Sequence, residues 1–482
     1  MSQEPDAKAE PERPNPLKEI TQPFVDLVRA PRELWGVNLP YFLEGLVYFG
    51  ILGYLAIYFS DTVFKGVAHA DVWSHRMVMV QTAGITIAMF FLGFVADKYG
   101  VRRSLLAAFS VMIAGRLVIA AAPALGLSPG LWGGLQIATL CGILFVVVGY
   151  GMYQPAAYAG VRQFTNKKTA SMAFAMLYAL MNLGGYLPTF AFLVRDKEYL
   201  GLGIKGAFWV YAGITVLSLL ATYFILSPKT VARAMARAKA EREAAGDESK
   251  PDASKAAPDP EAPAERASFG RRLAQWLRRH PLADRKFAFF IFALIPVQTL
   301  FTYNWLVLPQ YVSRSYAGWI GQKFEIASNF NPILIFIFVP VITALSYKRK
   351  VYNMMVLGTF VMAAPAFLLA LGTNFWTLFG YLVVMTIGEA MWQPRFLQYA
   401  AEIAPEGRTG EYMGVAQLPW FLTKVLVPAT YSGWMLEKYC PATGATNPRP
   451  MWLVFGCIAI TSSLLLLLAR GWVGKDFKTK AA

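Results

Sequence analysis

The chain has 482 residues, of which 56% are hydrophobic, 15% are aromatic and only 15% are charged, and its mean hydropathy is +0.42. This composition excludes an ordinary soluble protein, because a soluble chain of this length needs more charge to cover its surface. The formal charge of +16 would suit nucleic-acid binding in a soluble protein, but in a membrane protein excess Lys and Arg set topology and contact anionic headgroups.

The chain begins with a polar, proline-rich stretch, and residues 1–37 are predicted to form a cytoplasmic N-terminal segment. No short apolar run ends there in a small-residue cleavage site, which argues against a cleaved signal peptide. Apolar runs follow, each of the ~20 residues needed to cross the hydrocarbon core. They predict an N-terminal six-helix bundle over 38–227, with helices at 38–60, 76–96, 104–124, 131–157, 169–194 and 206–227.

Residues 228–285 are rich in Ala, Lys, Arg, Glu, Asp and Pro and predict a cytoplasmic linker. Its first part is compatible with a solvated helix, and its middle reads as a disordered segment. Close to the seventh helix, Phe269, Leu273, Trp276 and Leu277 share one side and the arginines lie mostly elsewhere. This pattern predicts a basic amphipathic helix along the headgroups, and a solvated charge run is the alternative.

A second set of apolar runs predicts a C-terminal six-helix bundle over 286–472, followed by a cytoplasmic tail at 473–482. The fold class is therefore all-α integral membrane, with twelve transmembrane helices in two six-helix bundles. The helices of the second bundle are predicted at 286–311, 328–347, 351–372, 375–400, 410–435 and 451–471.

Orientation follows from the basic segments. The loops at 97–103, 162–168 and 347–350 carry Lys and Arg and fall on the same side as the linker by parity. The positive-inside tendency then places both termini and the linker in the cytoplasm, with the protein in a bacterial inner (plasma) membrane. The three cysteines show neither a disulfide framework nor metal-ligand spacing, so no metal and no cofactor is expected.

The loop after the second helix carries the most specific local motif, GFVADKYGVRR at 93–103. It resembles the G-x-x-x-D-[RK]-x-G-[RK]-[RK] loop of the major facilitator superfamily, whose twelve helices form two related domains. Glycines permit a tight turn, and Asp97 can pair with a basic residue or face a helix N-terminus. The resemblance implies gating roles for Asp97, Arg102 and Arg103; a simple loop anchor is the alternative.

Further segments resemble, in order, the motifs of the proton-coupled oligopeptide transporters within that superfamily. They are EGLVYFG at 44–50, GYGMYQP at 149–155, YALMNLG at 178–184, NPIL at 331–334, GEAMWQP at 388–394, AP at 404–405 and MG at 413–414. The chain is therefore similar to a divergent member of that family, over most of both helical domains.

The departures concern the site that holds a peptide carboxylate in that family. The family's first helix carries E-x-x-E-R, whereas this chain has Tyr41 at the first acid and Gly45 at the arginine. The fourth-helix lysine is Gln154 here. The clamp for a peptide C-terminus is therefore not carried over.

Two acids of the matched motifs remain, Glu44 and Glu389, and both are candidates for proton coupling. A carboxylate inside the membrane is costly unless it is paired, hydrated or protonated. The resemblance also implies that Glu389 can face a substrate amine. The alternative for each is a neutral acid that holds two helices together.

Basic residues also interrupt the apolar runs. By residue count Lys424 and Glu389 lie at similar depths on sequential antiparallel helices, so a pair between them, broken by a proton or an anionic substrate, is one hypothesis. Lys424 facing a cavity alone is the other. The role of Arg116 stays open. Arg395 is expected to reach the headgroups or the 404–411 loop.

Polar and aromatic groups near the matched motifs complete the predicted substrate site. They are Tyr48, Tyr153, Gln154, Asn182, Asn304 and Trp392, together with Lys424. No catalytic triad, nucleotide-binding loop or metal-ligand cluster is present in the sequence, so neither an enzyme nor ATP-driven transport is expected.

The resemblance implies a secondary transporter that couples protons to import of a small peptide-like or amine-bearing solute by alternating access. Proton-driven efflux, or transport of a lipid-like solute, is an alternative suggested by the missing clamp. A non-transporting receptor or scaffold is the alternative of another class. The expected partners are the solute, protons and membrane lipid but no nucleic acid; the oligomeric state stays open and a monomer is compatible.

Overall fold

In the computed structural model of the protein, no β-strand occurs in the described residues, which are 31–165, 167–244, 280–346, 349–402, 412 and 415–473. Several sequence predictions lie outside these ranges: the first 30 residues, the linker from 245 to 279 with most of its amphipathic stretch, the AP and MG pairs at 404–405 and 413–414, and the tail from 474.

The first half of the chain forms six long helices, α1 to α6, in the predicted order. Helix α1 continues into a π-helical turn at Phe59–Val63, and α5 is followed by the short helix Phe192–Arg195. The bounds are Arg32–Tyr58 for α1, Ala70–Leu92 for α2, Val101–Ala121 for α3, Gly134–Phe164 for α4, Lys167–Tyr186 for α5 and Gly203–Ile225 for α6.

The second half contains six further spans, α7 to α12, two of which are built from consecutive shorter helices. Span α8 is preceded by the short helix Phe324–Ser328. The bounds are Arg285–Ala293, Ile295–Leu306 and Leu308–Ser315 for α7, Asn331–Ser346 for α8, Val351–Ala363 for α9, Phe375–Glu402 for α10, Leu418–Thr430 and Ser432–Tyr439 for α11, and Arg449–Leu468 for α12.

Eleven helices among the described residues are long and apolar enough to cross a membrane. The twelfth predicted span is α11, which is interrupted at Tyr431, where the backbone leaves helical geometry with φ −136°. Pro428 lies inside the first piece and has no N–H to donate, so the helix is weakened just before the break. The twelve-span prediction thus agrees with the structure once α11 is counted as one broken span.

Small residues let pairs of helices approach closely within each bundle. A Cβ added at Gly184 of α5 would lie 2.4 Å from the Phe42 carbonyl oxygen of α1, and Gly45 of α1 lies in the same crossing. In the other bundle, a Cβ at Gly388 of α10 would lie 2.2 Å from the Met362 nitrogen of α9. In lipid the hydrophobic effect does not drive helices together, because the lipid tails are themselves apolar. Close packing of this kind drives helix association instead.

Among the described residues, the main contacts between the long helices of the two bundles are those of α2 with α11, α5 with α8, and α1 with α7. After α6 the chain forms a connector helix, Pro228–Ala244, which packs on α4 and α1. Its Arg237 forms an ion pair with Glu33 at the start of α1, and Ala234 is buried. Its sequence is compatible with a solvated helix, and in the structure one side of the helix is docked on the N-terminal bundle. We call the end of the molecule that carries it the connector face and the opposite end the distal face.

Candidate transport site

Glu44 lies at the middle of α1 and is fully buried in an ion pair with Arg116 of α3. Both guanidinium NH groups donate to the carboxylate, one of them at 2.8 Å, and Arg116 also donates to the Thr215 hydroxyl of α6. The Tyr150 hydroxyl of α4 donates to the same carboxylate at 2.7 Å. Four helices of the N-terminal bundle therefore meet on one neutralised acid, and bidentate pairs of this kind are the stronger ones.

The wall where the related family carries its carboxylate clamp is neutral in this chain. The hydroxyls of Tyr41 and Tyr158 lie 3.3 Å apart, and Gln154 donates to Tyr158, also at 3.3 Å. The Tyr41 ring stacks on Tyr153 with ring centroids 5.8 Å apart. The crossing of α1 and α5 explains why position 45 is glycine, since any larger side chain there meets the α5 backbone.

Glu389 lies at the middle of α10, is 95% buried and takes part in no ion pair among the described residues. Asn331 at the start of α8 donates its Nδ2 to the carboxylate at 2.8 Å and to Thr386 Oγ1 at 3.0 Å. The Tyr178 hydroxyl of α5, in the opposite bundle, lies within electrostatic range of the carboxylate. The close approach of Gly388 to α9 fixes the position of α10 at this depth.

Lys424, in the first piece of α11, is also 95% buried. Its ammonium lies 3.5 Å from the ring centroid of Trp420, one helical turn earlier. No described carboxylate lies within 4 Å of it, so the hypothesised pair with Glu389 is not formed in this structure. The carboxylate of Glu389 and the ammonium of Lys424 therefore belong to the same bundle without contacting each other.

A polar network closes the distal face between α2 and α7. Arg314 donates to both carboxylate oxygens of Asp71, at 2.6 and 2.8 Å. Gln310 donates to Asp71 at 3.1 Å and accepts from His75 Nε2 at 2.9 Å, since an amide oxygen only accepts. His75 Nδ1 then accepts from Ser432 of α11 at 2.7 Å. We call these five residues the α2–α7 latch.

A second contact closes the same face between α8 and the N-terminal bundle. Glu325 is buried and accepts a hydrogen bond from Tyr54 of α1 at 2.6 Å. Arg195, at the end of the short helix that follows α5, forms an ion pair with Glu325 at 2.9 Å and lies over the Phe324 ring. The hydrogen bonds and ion pairs recorded between described residues of the two bundles all belong to the distal face.

The remaining predicted substrate residues lie in different surroundings. Tyr48 is half-buried with its ring 5.3 Å from that of Tyr150, and Asn182 donates to the Tyr178 carbonyl one turn earlier. Asn304 is buried between α7 and α10, where it accepts from Tyr381 at 3.0 Å. Trp392 is fully buried and donates to the Met362 sulfur. The geometry therefore gives Asn304 and Trp392 partners inside their own bundle, and their place in the substrate site stays a prediction.

The predicted gating motif lies at the connector face, where Phe94–Tyr99 forms a short helix after α2. The side chain of Asp97 is outside the described residues, so its role stays a prediction. Arg102 lies 5.3 Å over the ring of Tyr223 on α6, within its own bundle, and Arg103 is exposed. Arg395 contacts Ser346 of α8 at 3.4 Å, and the loop after α10 that it was expected to reach is not described.

Sequence reasoning missed the residues of both distal contacts. The signal that was available is polarity, since Asp71, His75, Gln310 and Arg314 are polar side chains at the distal ends of the apolar spans α2 and α7. In the portion of the chain that is described, no group of three or more His, Cys, Asp or Glu residues is placed to hold a metal ion.

This arrangement of two helical bundles, with buried charges at mid-helix and a network closing one face, defines a secondary-transporter class of membrane protein. The family model described as "Major Facilitator Superfamily" matches residues 73–428, well over half of the chain. The protein belongs to this superfamily of transporters, as its sequence motif predicted.

Solved structures agree on the fold. A peptide transporter POT mutant is 15% identical with a TM-score of 0.67, over 93% of this chain and 96% of that one. A POT family transporter in complex with 5-aminolevulinic acid is 16% identical with a TM-score of 0.65, over 92% and 97%. A D-xylose-proton symporter is 15% identical with a TM-score of 0.64, over 92% and 98%. No curated protein matches the chain in sequence.

Proposed function

We propose that the protein is a proton-coupled symporter of a small peptide-like or amine-bearing solute, working by alternating access between its two bundles. The observation that carries this proposal is Glu389, a mid-membrane carboxylate with an amide donor and no counter-ion among the described residues. A carboxylate in such a place is stable when it takes up a proton or a cation. It therefore suits a proton carrier whose carbonyl oxygen, once the acid is protonated, still accepts a hydrogen bond from a substrate amine.

The proton step involves two groups that face Glu389 from different elements. Asn331 donates to the ionised carboxylate, and it can accept through its amide oxygen from the protonated acid after a rotation. Tyr178 belongs to the opposite bundle, so its approach to Glu389 depends on how the bundles are tilted. Movement of the bundles thereby changes the surroundings of the acid, which is what coupling requires.

The distal network supports alternation between two openings. The α2–α7 latch and the Glu325 contact hold the distal ends of both bundles together, so the structure represents a state closed on that face. With both termini and the linker in the cytoplasm, the distal face is the outer one and this state opens inward. Release of both contacts and closure of the connector face would give the outward state.

The substrate class is inferred from fold and motifs together. Structures of similar fold include POT family transporters described in complex with 5-aminolevulinic acid, with alafosfalin and with a thioalcohol-conjugated peptide. The motif around Glu389 is shared with that family, while the clamp around Tyr41, Gly45 and Gln154 is not. We therefore expect an amine-bearing solute that is bound differently at its other end.

The test is uptake of a labelled dipeptide into proteoliposomes of the purified protein under an inward proton gradient. Accumulation above the external concentration, abolished by a protonophore, is the expected result. Uptake that the protonophore leaves unchanged would contradict proton coupling. Absence of both binding and uptake for dipeptides, amino acids and related amines would contradict the substrate class.

A further inference from the structure

Lys424 is a buried ammonium that the proton step at Glu389 does not use. It is 95% buried at mid-membrane depth, and its recorded partner is the π face of Trp420. A cation in this position is costly, and such residues are kept where they meet an anion, a water-filled cavity or a substrate. Among the described side chains no carboxylate provides that anion.

The helix that carries Lys424 belongs to the surface between the bundles. Helix α11 packs on α7 of its own bundle and on α2 of the other. Ser432, eight residues further along α11, bonds to His75 in the α2–α7 latch. At 1.5 Å per residue Lys424 therefore lies at most ~12 Å below the latch, deeper in the membrane, on the helix that packs against both bundles.

The helical hydrogen bonding of α11 is weakened between Lys424 and the latch. Pro428 cannot donate the hydrogen bond that the Lys424 carbonyl would receive in a regular helix, and the helix stops three residues later at Tyr431. A helix interrupted in mid-membrane is tolerated where its backbone is buried in protein or lines a cavity. Interrupted spans of this kind form substrate sites in secondary transporters.

Among the side chains that the structure describes near Tyr41, the opposite wall offers no unbalanced positive charge to an anionic solute group. Tyr41, Gln154 and Tyr158 form a neutral hydrogen-bonded wall, and Arg116 is neutralised by Glu44. Electrostatic recognition of an anion at this depth by described residues therefore falls to the C-terminal bundle.

We propose that Lys424, held against Trp420, binds the anionic group of the transported solute, so that a zwitterionic solute places both its charges on the C-terminal bundle. The inference rests on the proposed function for the amine end, which Glu389 receives. Because Glu389 and Lys424 do not pair with each other, each is available to one end of the solute. The solute bridges α10 and α11.

The experiment compares carboxylate and amide forms of the same ligand by thermal stabilisation of the full-length protein in detergent. The probes are alanyl-alanine, alanyl-alanine amide and butyrate, the last carrying a carboxylate but no amine. Wild type is expected to bind the dipeptide about 10- to 100-fold more tightly than its amide, the range of one charge-assisted contact. Lys424→Gln should remove this preference by weakening only the acid, and Lys424→Arg should keep most of it.

The chain supplies a matched control. Lys438 lies 5.0 Å over the ring of Trp434, four residues earlier, as Lys424 does over Trp420, but it is exposed at the end of α11. Lys438→Gln should leave the preference for the free carboxylate unchanged. Equal loss in both variants would overturn the proposal.

The outcomes separate the two proposals. Equal binding of dipeptide and amide by wild type overturns the role of Lys424 and leaves the peptide-like substrate class standing. Stabilisation by butyrate that Lys424→Gln abolishes, with no response to dipeptides, supports Lys424 as an anion site and contradicts the proposed substrate class. No response to any carboxylate overturns the Lys424 proposal.

Discussion

Glu44 and Glu389 are carboxylates buried at the middle of a helix in opposite bundles, and their surroundings differ in kind. The N-terminal bundle surrounds Glu44 with Arg116 and Tyr150, so the charge is balanced inside the bundle. Among the residues that the structure describes, the C-terminal bundle gives Glu389 one amide donor and no cation. Burial alone therefore does not distinguish a proton carrier, and we expect the acid that has no counter-ion among these residues to be the one that carries the proton.

The same contrast holds for the cations. Arg116 is bound on both NH groups, whereas Lys424 has an aromatic ring and no described carboxylate near it. We therefore interpret the buried charges of the N-terminal bundle as a structural ion pair. We interpret those of the C-terminal bundle as groups that bind the solute and the proton.

The largest effect is expected for Arg116→Gln. It leaves Glu44 buried without its partner, and breaking a buried ion pair in this way costs about 3–5 kcal/mol of stability. Denaturant or thermal unfolding in detergent, together with yield in the membrane, measures it. Arg103→Gln on the same helix is the control, because Arg103 is exposed. Equal stability of the two variants would contradict a stabilising role for the Glu44–Arg116 ion pair.

The double variant Glu44→Gln/Arg116→Gln sharpens the same point. Removing both charges replaces the ion pair by two neutral amides, and such replacement is much less costly than removing one partner. We expect most of the lost stability to return and proton-driven accumulation to persist. A double variant that folds normally but no longer accumulates solute would show that Glu44 takes part in coupling.

A smaller effect is expected at the distal face. Asp71→Asn weakens the pair with Arg314, which also donates to the Cys440 carbonyl in the loop after α11. Burial raises the pKa of the Cys440 thiol to about 11, so the closed state reacts slowly with maleimide. Opening of the face lets water reach the thiol, its pKa falls toward the ordinary value, and more reactive thiolate is present at neutral pH.

We expect Asp71→Asn to raise the labelling rate of Cys440 about 10-fold in a background where Cys141 and Cys457 are replaced by Ala, as one lost charge-assisted bond predicts. His69→Gln is the control, since His69 meets Glu437 at the exposed edge of the same interface. Identical rates for the two variants would argue against the α2–α7 latch as the closing contact.

The smallest effect is expected for Trp392→Phe. The indole is enclosed between α10 and α9 and donates to the Met362 sulfur, so the change removes one weak bond and some volume. Stability should fall by about 1–2 kcal/mol while the KM for solute changes less than twofold. A tenfold rise in KM without loss of stability would place Trp392 in the substrate site.

The fold could be predicted from the sequence because membrane crossing requires long apolar runs, and these are visible residue by residue. The interruption of α11 was missed because the apolar run continues through Tyr431, although Pro428 was a local signal. The docking of the connector helix could not be predicted because it depends on Arg237 meeting Glu33, a contact between residues far apart in sequence.

The site was less predictable because the partner of each charged side chain depends on how the helices are arranged in three dimensions. Glu44 and Arg116 were recognised separately, yet nothing in their spacing joins them. Depth along the helices suggested a Glu389–Lys424 pair, but depth does not determine which way a side chain points around the helix axis. The same lack of angular information applies to Asn304 and Trp392, whose side chains have partners inside their own bundle.

We propose that the proton moves on Glu389 and not on Glu44. The most direct test compares Glu389→Gln with the double variant Glu44→Gln/Arg116→Gln in proteoliposomes, measuring proton-driven accumulation and solute exchange without a gradient. We expect Glu389→Gln to lose accumulation but to keep exchange, because its amide oxygen still accepts from a substrate amine, while the double variant keeps both. Wild-type accumulation by Glu389→Gln, or loss of accumulation in the double variant alone, would show that the proton does not move on Glu389.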